Sequence, residues 1–404
     1  MSQELLYQLF HVQGYRLVKL DMQQHCATVH IEPQPHRLRC PACRSANVIR
    51  RGESQRLFQN LPIGSHCTFV LATLPRVGCR DCGAVRQIQL GFAEPRRSYT
   101  RAFERYVLEL SGVMTMLDIA RHLLVSWDVV KDIQKRNLQR HYAKPKLAAV
   151  RRIAIDEICI GSGQRYLTLV LDLQSGAVLF VGEGKKAASL APFWRRLRAA
   201  RAQIEAVAMD MSPAYVAAVE RNLPAALIVH DRFHLVKLMN EKLTQLRREL
   251  FRQATDELHK QVLKGTRWLL LRNPENLDPV KGEPGRLQAA LQLNASLATA
   301  YYLKEDLRQL WEQPNKELAR LKLIDWYHQA QASGVRVLQE FARSLLACQH
   351  RILTWYDVPI STGPLEGMNN KIKTMLRQHY GLRDREFLTL KIHQLHKAKY
   401  ALIG

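Results

Sequence analysis

Three acidic residues stand where divalent cations would be held for phosphodiester chemistry: Asp156, Asp210 and Glu366. Asp156 follows the alternating run Arg151-Arg152-Ile153-Ala154-Ile155, and Asp210 closes Ile204-Glu205-Ala206-Val207-Ala208-Met209. Both carboxylates are therefore predicted at or near the C-terminal ends of strands. Glu366 lies far downstream, in Leu365-Glu366-Gly367-Met368-Asn369-Asn370-Lys371-Ile372-Lys373, a stretch that reads as helix. Two divalent ions roughly 4 Å apart activate an attacking oxygen and stabilise a leaving one, and anionic oxygen ligands must hold both. Three carboxylates turned to one point repel each other without metal, which predicts a strained or partly protonated apo site.

Spacing on the predicted helix supplies a test. Glu366, Asn369, Asn370, Lys373 and Arg377 fall on one face, while Leu365, Met368, Ile372 and Leu376 fall on another. The polar face is read as meeting metal and phosphate, with Asn370 and Lys373 accessory to the acids, and the apolar face as packing on a sheet. Other acids compete for the role. Glu157 adjoins Asp156 but points to the opposite face of a strand, and Asp172 sits on the following strand without a polar neighbourhood. Asp231, in His230-Asp231-Arg232-Phe233-His234, is the strongest rival to Asp210, and a helix starting there aligns His234 with it near the metals.

Cysteine offers a second kind of metal chemistry. Of eight cysteines, four form two tight pairs, Cys40-Pro41-Ala42-Cys43 and Cys79-Arg80-Asp81-Cys82, while Cys26, Cys67, Cys159 and Cys348 are scattered. A CxxC turn lets two thiolates reach one ion, and two such turns complete the tetrahedral sphere of one structural Zn²⁺. In a reducing compartment this spacing reads as metal binding rather than disulfides.

The elements that must position these residues fall into five segments. Residues 1–95 are β-rich, punctuated by prolines, and hold both CxxC pairs. Residues 98–145 turn helical, with Met116, Ile119, Ala120, Leu123 and Leu124 at helical spacing and a second helix from Trp127 to about Gln139. This is a helix-turn-helix pattern whose second helix carries Lys131, Lys135 and Arg136 as candidate DNA contacts. Leu124 stands where many such motifs place glycine. Residues 150–235 read as three antiparallel strands followed by helix, strand, helix and strand, the order of a ribonuclease H-like core. Residues 236–355 are helical and rich in Leu, Arg and Lys, an all-helical insertion in which Trp268, Trp311 and Trp326 read as core packing, with base stacking as the alternative. Residues 356–404 return to the core with the Glu366 helix. The fold class is multidomain α/β.

Composition agrees with a polyanion partner. The chain has 404 residues, 60 Lys+Arg against 36 Asp+Glu and a formal charge of +24, which points to nucleic acid before anything else. No apolar run approaches the roughly 18 residues needed to span a bilayer. The N-terminus, Met1-Ser2-Gln3-Glu4-Leu5-Leu6, lacks the basic-then-apolar pattern of a signal peptide, so a cytoplasmic protein is expected.

Taken together, these motifs resemble the transposases of bacterial insertion sequences, the ISL-three-type family within the DDE transposases. The resemblance spans nearly the whole chain: the CPxC and CxxC segment, the helix-turn-helix, Ala154-Ile155-Asp156-Glu157, Met209-Asp210-Met211-Ser212, Asp231-Arg232-Phe233-His234 and Gly363 through Lys373. It implies Asp156, Asp210 and Glu366 as a catalytic triad using two Mg²⁺ or Mn²⁺, with Asp231 and His234 as an accessory motif. It also implies double-stranded DNA as partner, both element ends with inverted repeats and target, a homo-oligomer in the synaptic complex, and a nucleoid-associated bacterial location. Two other readings share the fold: a catalytically inactive DNA-binding regulator, and a structure-specific nuclease.

Overall fold

The computed structural model describes residues 7, 8, 10–161, 165–379 and 382–397. The N-terminal stretch Met1–Leu6, read above for the absence of a signal peptide, lies outside the described residues. Two compact units divide the chain: Met1–Ala143 with Thr374–Lys391 and Lys397–Gly404, and Lys144–Lys373 with Ile392–His396. Among the described residues no helix is long and apolar enough to cross a membrane.

The first unit opens with β1 (Tyr15–Gln23), β2 (Cys26–Pro33), β3 (Val48–Ile63), β4 (His66–Cys79) and β5 (Val85–Gln87). The sheet runs β1-β2-β4-β3, with β2 parallel to β4, the other neighbours antiparallel, and β5 added to β4. Strand periodicity puts Val29, Ile31, Phe58, Val70, Ala72 and Leu74 on one buried face, where Phe92 meets Phe58 edge-on at 5.3 Å. Burying each of these side chains other than Ala72 contributes about 1.5–3 kcal/mol.

Three helices follow: α1 (Arg101–Leu110), α2 (Met116–His122) and α3 (Trp127–Tyr142). Each starts on a hydroxyl, since Thr100, Thr115 and Ser126 accept from the amides of Phe103, Asp118 and Val129. Their shared core contains Phe103, Val107, Ile119, Val130 and Ile133, joined by Phe387 and Leu390 from the C-terminal helix Arg385–Gln394. Residues 374–391 thus group with the helix-turn-helix, whereas the sequence reading carried the catalytic core through 404; Phe387 and Leu390 find their apolar surroundings in the three-helix core. Leu124 supplies the turn with glycine geometry, at φ 54°. The amides of Leu124 and Val125 bond the carbonyls of Arg121 and Ala120, closing α2 in a Schellman pattern. The bond pattern demands a left-handed residue there, and an unbranched Cβ tolerates it at about 1–2 kcal/mol.

The second unit is built on β6 (Arg152–Cys159), β7 (Tyr166–Asp172), β8 (Val178–Glu183), β9 (Ala206–Met209) and β10 (Leu227–His230), with α4 (Ala191–Ala199) and α5 (Pro213–Asn222) between the later strands. Strand order is β10-β9-β6-β7-β8; β6, β7 and β8 are antiparallel, and β9 and β10 run parallel to β6. This is the ribonuclease H-like arrangement that the order of elements predicts. Val207, Ile153, Val170, Phe193, Trp194 and Leu197 fill the layer between sheet and helices. Asp172 has a polar neighbourhood after all: it accepts from the Ser175 hydroxyl and the amides of Gln174 and Ser175, fastening the β7–β8 turn.

The helix α6 (Arg232–Gln253) leads into the insertion, formed by α7 (Glu257–Lys264), α8 (Arg267–Leu271), α9 (Glu283–Leu293), α10 (Ala295–Arg308), α11 (Lys316–Ala332), α12 (Arg336–Ala347) and α13 (Gln349–Leu353). Leu235, Met239 and Leu243 of α6 share its core with Trp311, Trp326 and Phe341. Trp326 donates its indole N–H to the Leu303 carbonyl at 2.7 Å. Trp268 departs from the packing expectation: it is 63% exposed, with the Arg267 guanidinium 4.7 Å from its ring centroid. The chain then returns through α14 (Gly363–Gln378) and α15 (Arg385–Gln394).

Candidate active site

Strand register sets the acids side by side. Ala154 pairs with Ala208 where β6 lies parallel to β9, so two residues further on Asp156 and Asp210 reach the same level of the sheet. His230 pairs with Met209, which brings Asp231 beside Asp210 one strand over, its amide bonded to the Met209 carbonyl at 3.1 Å. All three acids stand at the carboxyl edge of adjacent parallel strands, where ligands bind in open α/β sheets. Asp156 is interior to β6 rather than at its end, because β6 pairs with β7 through Cys159 while its pairing with β9 stops at Ala154.

Helix α14 buries Leu365, Met368 and Ile372 along one side. Asn369 lies among them at 7% exposure, and its amide donates to Asp156 Oδ2 at 2.9 Å. Sequence reasoning placed Asn369 on the polar face and singled out Asn370 and Lys373 instead; both are exposed. Glu366, half-buried, precedes Asn369 by three residues and so shares its side of the helix. Just ahead of α14 the hydroxyl of Thr362 donates to Asp231 Oδ2 at 2.8 Å. Its signal in the sequence was a hydroxyl residue immediately before a helix, which reads only as a cap.

His234 joins the cluster from the first turn of α6. Its Nδ1 is 3.4 Å from Asp231 Oδ2 and its Nε2 is 3.8 Å from Asp156 Oδ1. Burial opposes its charge, yet the carboxylates of Asp231 and Asp156 raise its pKa. The same partners act in reverse on Asp231: burial pushes its carboxyl up, but His234 and Thr362 hold it below the ordinary value. Asp156 goes the other way, raised by burial and by the Asp210 carboxylate against the pull of the Glu157 amide, His234 and Asn369. Glu157 turns to the far side, toward the Tyr215 hydroxyl, and burial raises it too.

Two buried oxygens in this cluster, Asp231 Oδ1 and Asn369 Oδ1, have no hydrogen-bond partner. Such atoms, beside a carboxylate whose charge is disfavoured, fit a cation. The fit is to a donor set rather than to a finished sphere. Among the described residues the four cysteines are the one group of three or more ligating side chains whose donor atoms all lie within 4.8 Å, and Asp156, Asp210 and Glu366 do not gather that closely.

The cysteines do form a closed site. Cys40 Sγ lies 3.6 Å from Cys82 Sγ, and Cys43 Sγ lies 3.5 Å from Cys79 Sγ. A regular tetrahedron with Zn–S bonds of about 2.3 Å has edges of about 3.8 Å, whereas a disulfide would need about 2.05 Å. Both turns are wound alike. Arg44 at φ 63° and Gly83 at φ 70° follow the second cysteine of each pair, and the amides of Arg44 and Gly83 bond the carbonyls of Cys40 and Cys79. Asp81 fastens the two turns together by accepting from Ser45 and from Asn47. The cluster has the ligand set and geometry of a structural zinc site.

On α3 the three basic candidates are engaged within their own unit. Lys131 and Lys135 each lie 3.1 Å from Asp384 Oδ2, and Lys135 also reaches Glu386 at 2.7 Å. Arg136 bonds Asp132 at 3.1 Å and approaches Glu104 at 3.3 Å. Lys131 additionally lies over the Trp127 ring at 5.3 Å.

A ribonuclease H-like core with acids level on adjacent strands, an all-helical insertion, a four-cysteine cluster and a helix-turn-helix are together the parts of a DDE transposase. Comparison with known proteins gives the same class. Residues 153–392 match the ISL3 family model described as Transposase, residues 88–136 match the helix-turn-helix domain of transposase family ISL3, and residues 36–82 match the zinc-finger of transposase IS204/IS1001/IS1096/IS1165. The chain belongs to the ISL3 family of DDE transposases. It is 30% identical over 398 residues to the transposase for insertion sequence element IS1001 of Bordetella parapertussis, covering 97% of this chain and 98% of the relative. It is 28% identical over 375 residues to the transposase for insertion sequence element IS1557 of Mycobacterium tuberculosis (strain CDC 1551 / Oshkosh), covering 87% and 84%.

Proposed function

We propose that this protein binds the terminal inverted repeats of an insertion sequence in the bacterial cytoplasm and catalyses metal-dependent DNA cleavage and strand transfer. The observation that carries the reading is the level placement of Asp156 and Asp210 on neighbouring strands, with the Glu366 helix tied to Asp156 through Asn369. Asp156, Asp210 and Glu366 would hold two Mg²⁺ or Mn²⁺, which when bound supply an activated attacking oxygen and a stabilised leaving one. Asn369 orients the Asp156 carboxylate, and Thr362 with His234 fixes Asp231 beside Asp210. His234, its pKa raised, is placed to carry a proton next to Asp156. Lys373 and Asn370, exposed on α14, would meet the phosphate backbone. The formal charge of +24 supplies the non-specific attraction, and the zinc segment and helix-turn-helix supply the grip on the ends.

The test is cleavage and strand transfer on DNA carrying the gene's own flanking ends, with Mg²⁺ or Mn²⁺, comparing the protein with Glu366→Gln at equal DNA binding. Metal-dependent products lost in the variant support the reading. Equal binding with no product from either protein assigns the chain to a DNA-binding regulator, and cutting of branched DNA regardless of end sequence assigns it to a structure-specific nuclease.

A further inference from the structure

One edge of the N-terminal sheet has no partner among the described residues: β1 bonds β2 and nothing beyond it. Its register makes that edge unusual. Leu20 pairs with Val29 and Met22 with Ala27, so both leucine and methionine point to the face on which Val29 and Ala27 are buried. Yet Leu20 is 43% and Met22 59% exposed. They continue the apolar face past the elements that cover it. A bulge falls between Leu17 and Lys19 and leaves the segment from Lys19 to Gln23 regularly paired. Edge strands are normally blunted by bulges, inward charges or proline; the bulge of β1 lies before Lys19, and neither a charge nor a proline interrupts Leu20 or Met22 on this face.

The opposite face of β1 selects the occupant. There Lys19 and Asp21 flank Leu20, ion-paired with each other at 2.5 Å, with His30 2.8 Å from Asp21. Consider a second copy laid antiparallel along this edge about a two-fold axis perpendicular to the sheet. Such an axis keeps faces matched, so the centre must fall on a residue. Centred on Leu20, it sets Leu20 against the partner's Leu20, Lys19 against the partner's Asp21, and Asp21 against the partner's Lys19. Moving the centre to Asp21 opposes two aspartates, and moving it to Lys19 opposes two lysines, both unfavourable across strands. The sequence Lys19-Leu20-Asp21 is therefore self-complementary in one register.

We propose that β1 is a self-pairing edge, through which two copies of this chain join into one continuous sheet with Leu20 at the two-fold axis. Main-chain hydrogen bonds along the edge supply affinity and the Lys19–Asp21 crossings supply register, in the manner of strand addition. The interface is isologous, so every contact off the axis occurs twice. The inference stands on the sheet alone and does not depend on the catalytic reading.

Sedimentation velocity of the full-length, zinc-loaded protein across a concentration series tests it, with Leu20→Lys, Lys19→Asp, Asp21→Lys and the double exchange Lys19→Asp/Asp21→Lys. Zinc content and circular dichroism report that each variant is folded. The expected result is a wild-type dimer that Leu20→Lys and each single charge change weaken by about tenfold or more, about 1.4 kcal/mol, with the double exchange recovering the wild-type constant. A variant that fails to fold is read through the double exchange, which keeps both charges in the strand. A protein monomeric throughout the series overturns the proposal and assigns the edge to another segment or partner. A dimer indifferent to Leu20→Lys and to both single charge changes overturns it as well.

Discussion

Replacing Asn369 by alanine removes the hydrogen bond that ties the Glu366 helix to the Asp156 strand. Asn369 donates to a carboxylate at 2.9 Å in a buried setting. Hydrogen bonds to charged groups contribute about 1.5–3 kcal/mol, and removing the unpartnered Asn369 Oδ1 returns about 1 kcal/mol of desolvation. The net loss is about 1–2 kcal/mol near neutral pH, or about 2–8 °C in the Tm of a unit of this size. Its pH dependence carries the diagnosis. Asp156 has a pKa raised in the folded state, so its protonated form favours the fold and stability is lost as pH rises through the folded value. Deleting a donor to the charged form deepens that loss above the folded pKa and matters little once the proton is bound. Scanning calorimetry of wild type and Asn369→Ala at pH 7.5 and at a lower pH, below the raised folded pKa of Asp156, should therefore show a gap that narrows in acid. Added Mg²⁺ should narrow it at pH 7.5. A gap of equal size at both pH values would refute the assignment of the bond to the charged carboxylate.

Cys79→Ser should abolish a zinc content of about one ion per chain, measured by elemental analysis; unchanged metal would sink the four-thiolate site. Asp384→Asn keeps the cap on the Phe387 amide but releases Lys131 and leaves Lys135 with Glu386 as its carboxylate partner. If those lysines meet phosphate, affinity for end DNA at low salt should rise about two- to tenfold, from ion pairs of about 0.2–1 kcal/mol each. Unaltered affinity and salt slope would show that DNA is read by another surface. Leu124, 75% exposed at φ 54°, should accept glycine with stability unchanged or raised by up to about 1 kcal/mol, because relief of the left-handed strain offsets the extra chain entropy. Leu124→Val should lose more than about 1 kcal/mol, since branching at Cβ worsens the same clash; thermal denaturation distinguishes the two.

Alternation and turn spacing carried most of the catalytic fold. The apolar runs before Asp156 and Asp210 predicted the strands, and the change from strand meander to alternating helix and strand predicted the sheet order. What escaped was set by packing between distant segments. Periodicity grouped Asn369 with Glu366 and could not say that α14 would lean far enough to bury it. Lys131 and Lys135 read as free cations because their partner, Asp384, is about 250 residues away in sequence. Trp268 carries the same apolar signal as Trp311 and Trp326, and only the tertiary arrangement leaves it outside. Leu124 breaks a residue preference while keeping the backbone geometry behind it, so the turn was readable and its chemistry was not.

Helix α6 begins at Asp231 and His234 and continues without a break to Gln253, burying Leu235, Met239 and Leu243 in the insertion. At a rise of about 1.5 Å per residue it is a lever about 33 Å long. A tilt of about 5° about its far end would carry the near end about 3 Å, more than the Thr362 and His234 bonds to Asp231 can span. The insertion therefore cannot be reseated as a rigid body without unlatching Asp231. Whatever steadies the helical domain also steadies the carboxyl edge of the sheet, and a load on one is felt at the other.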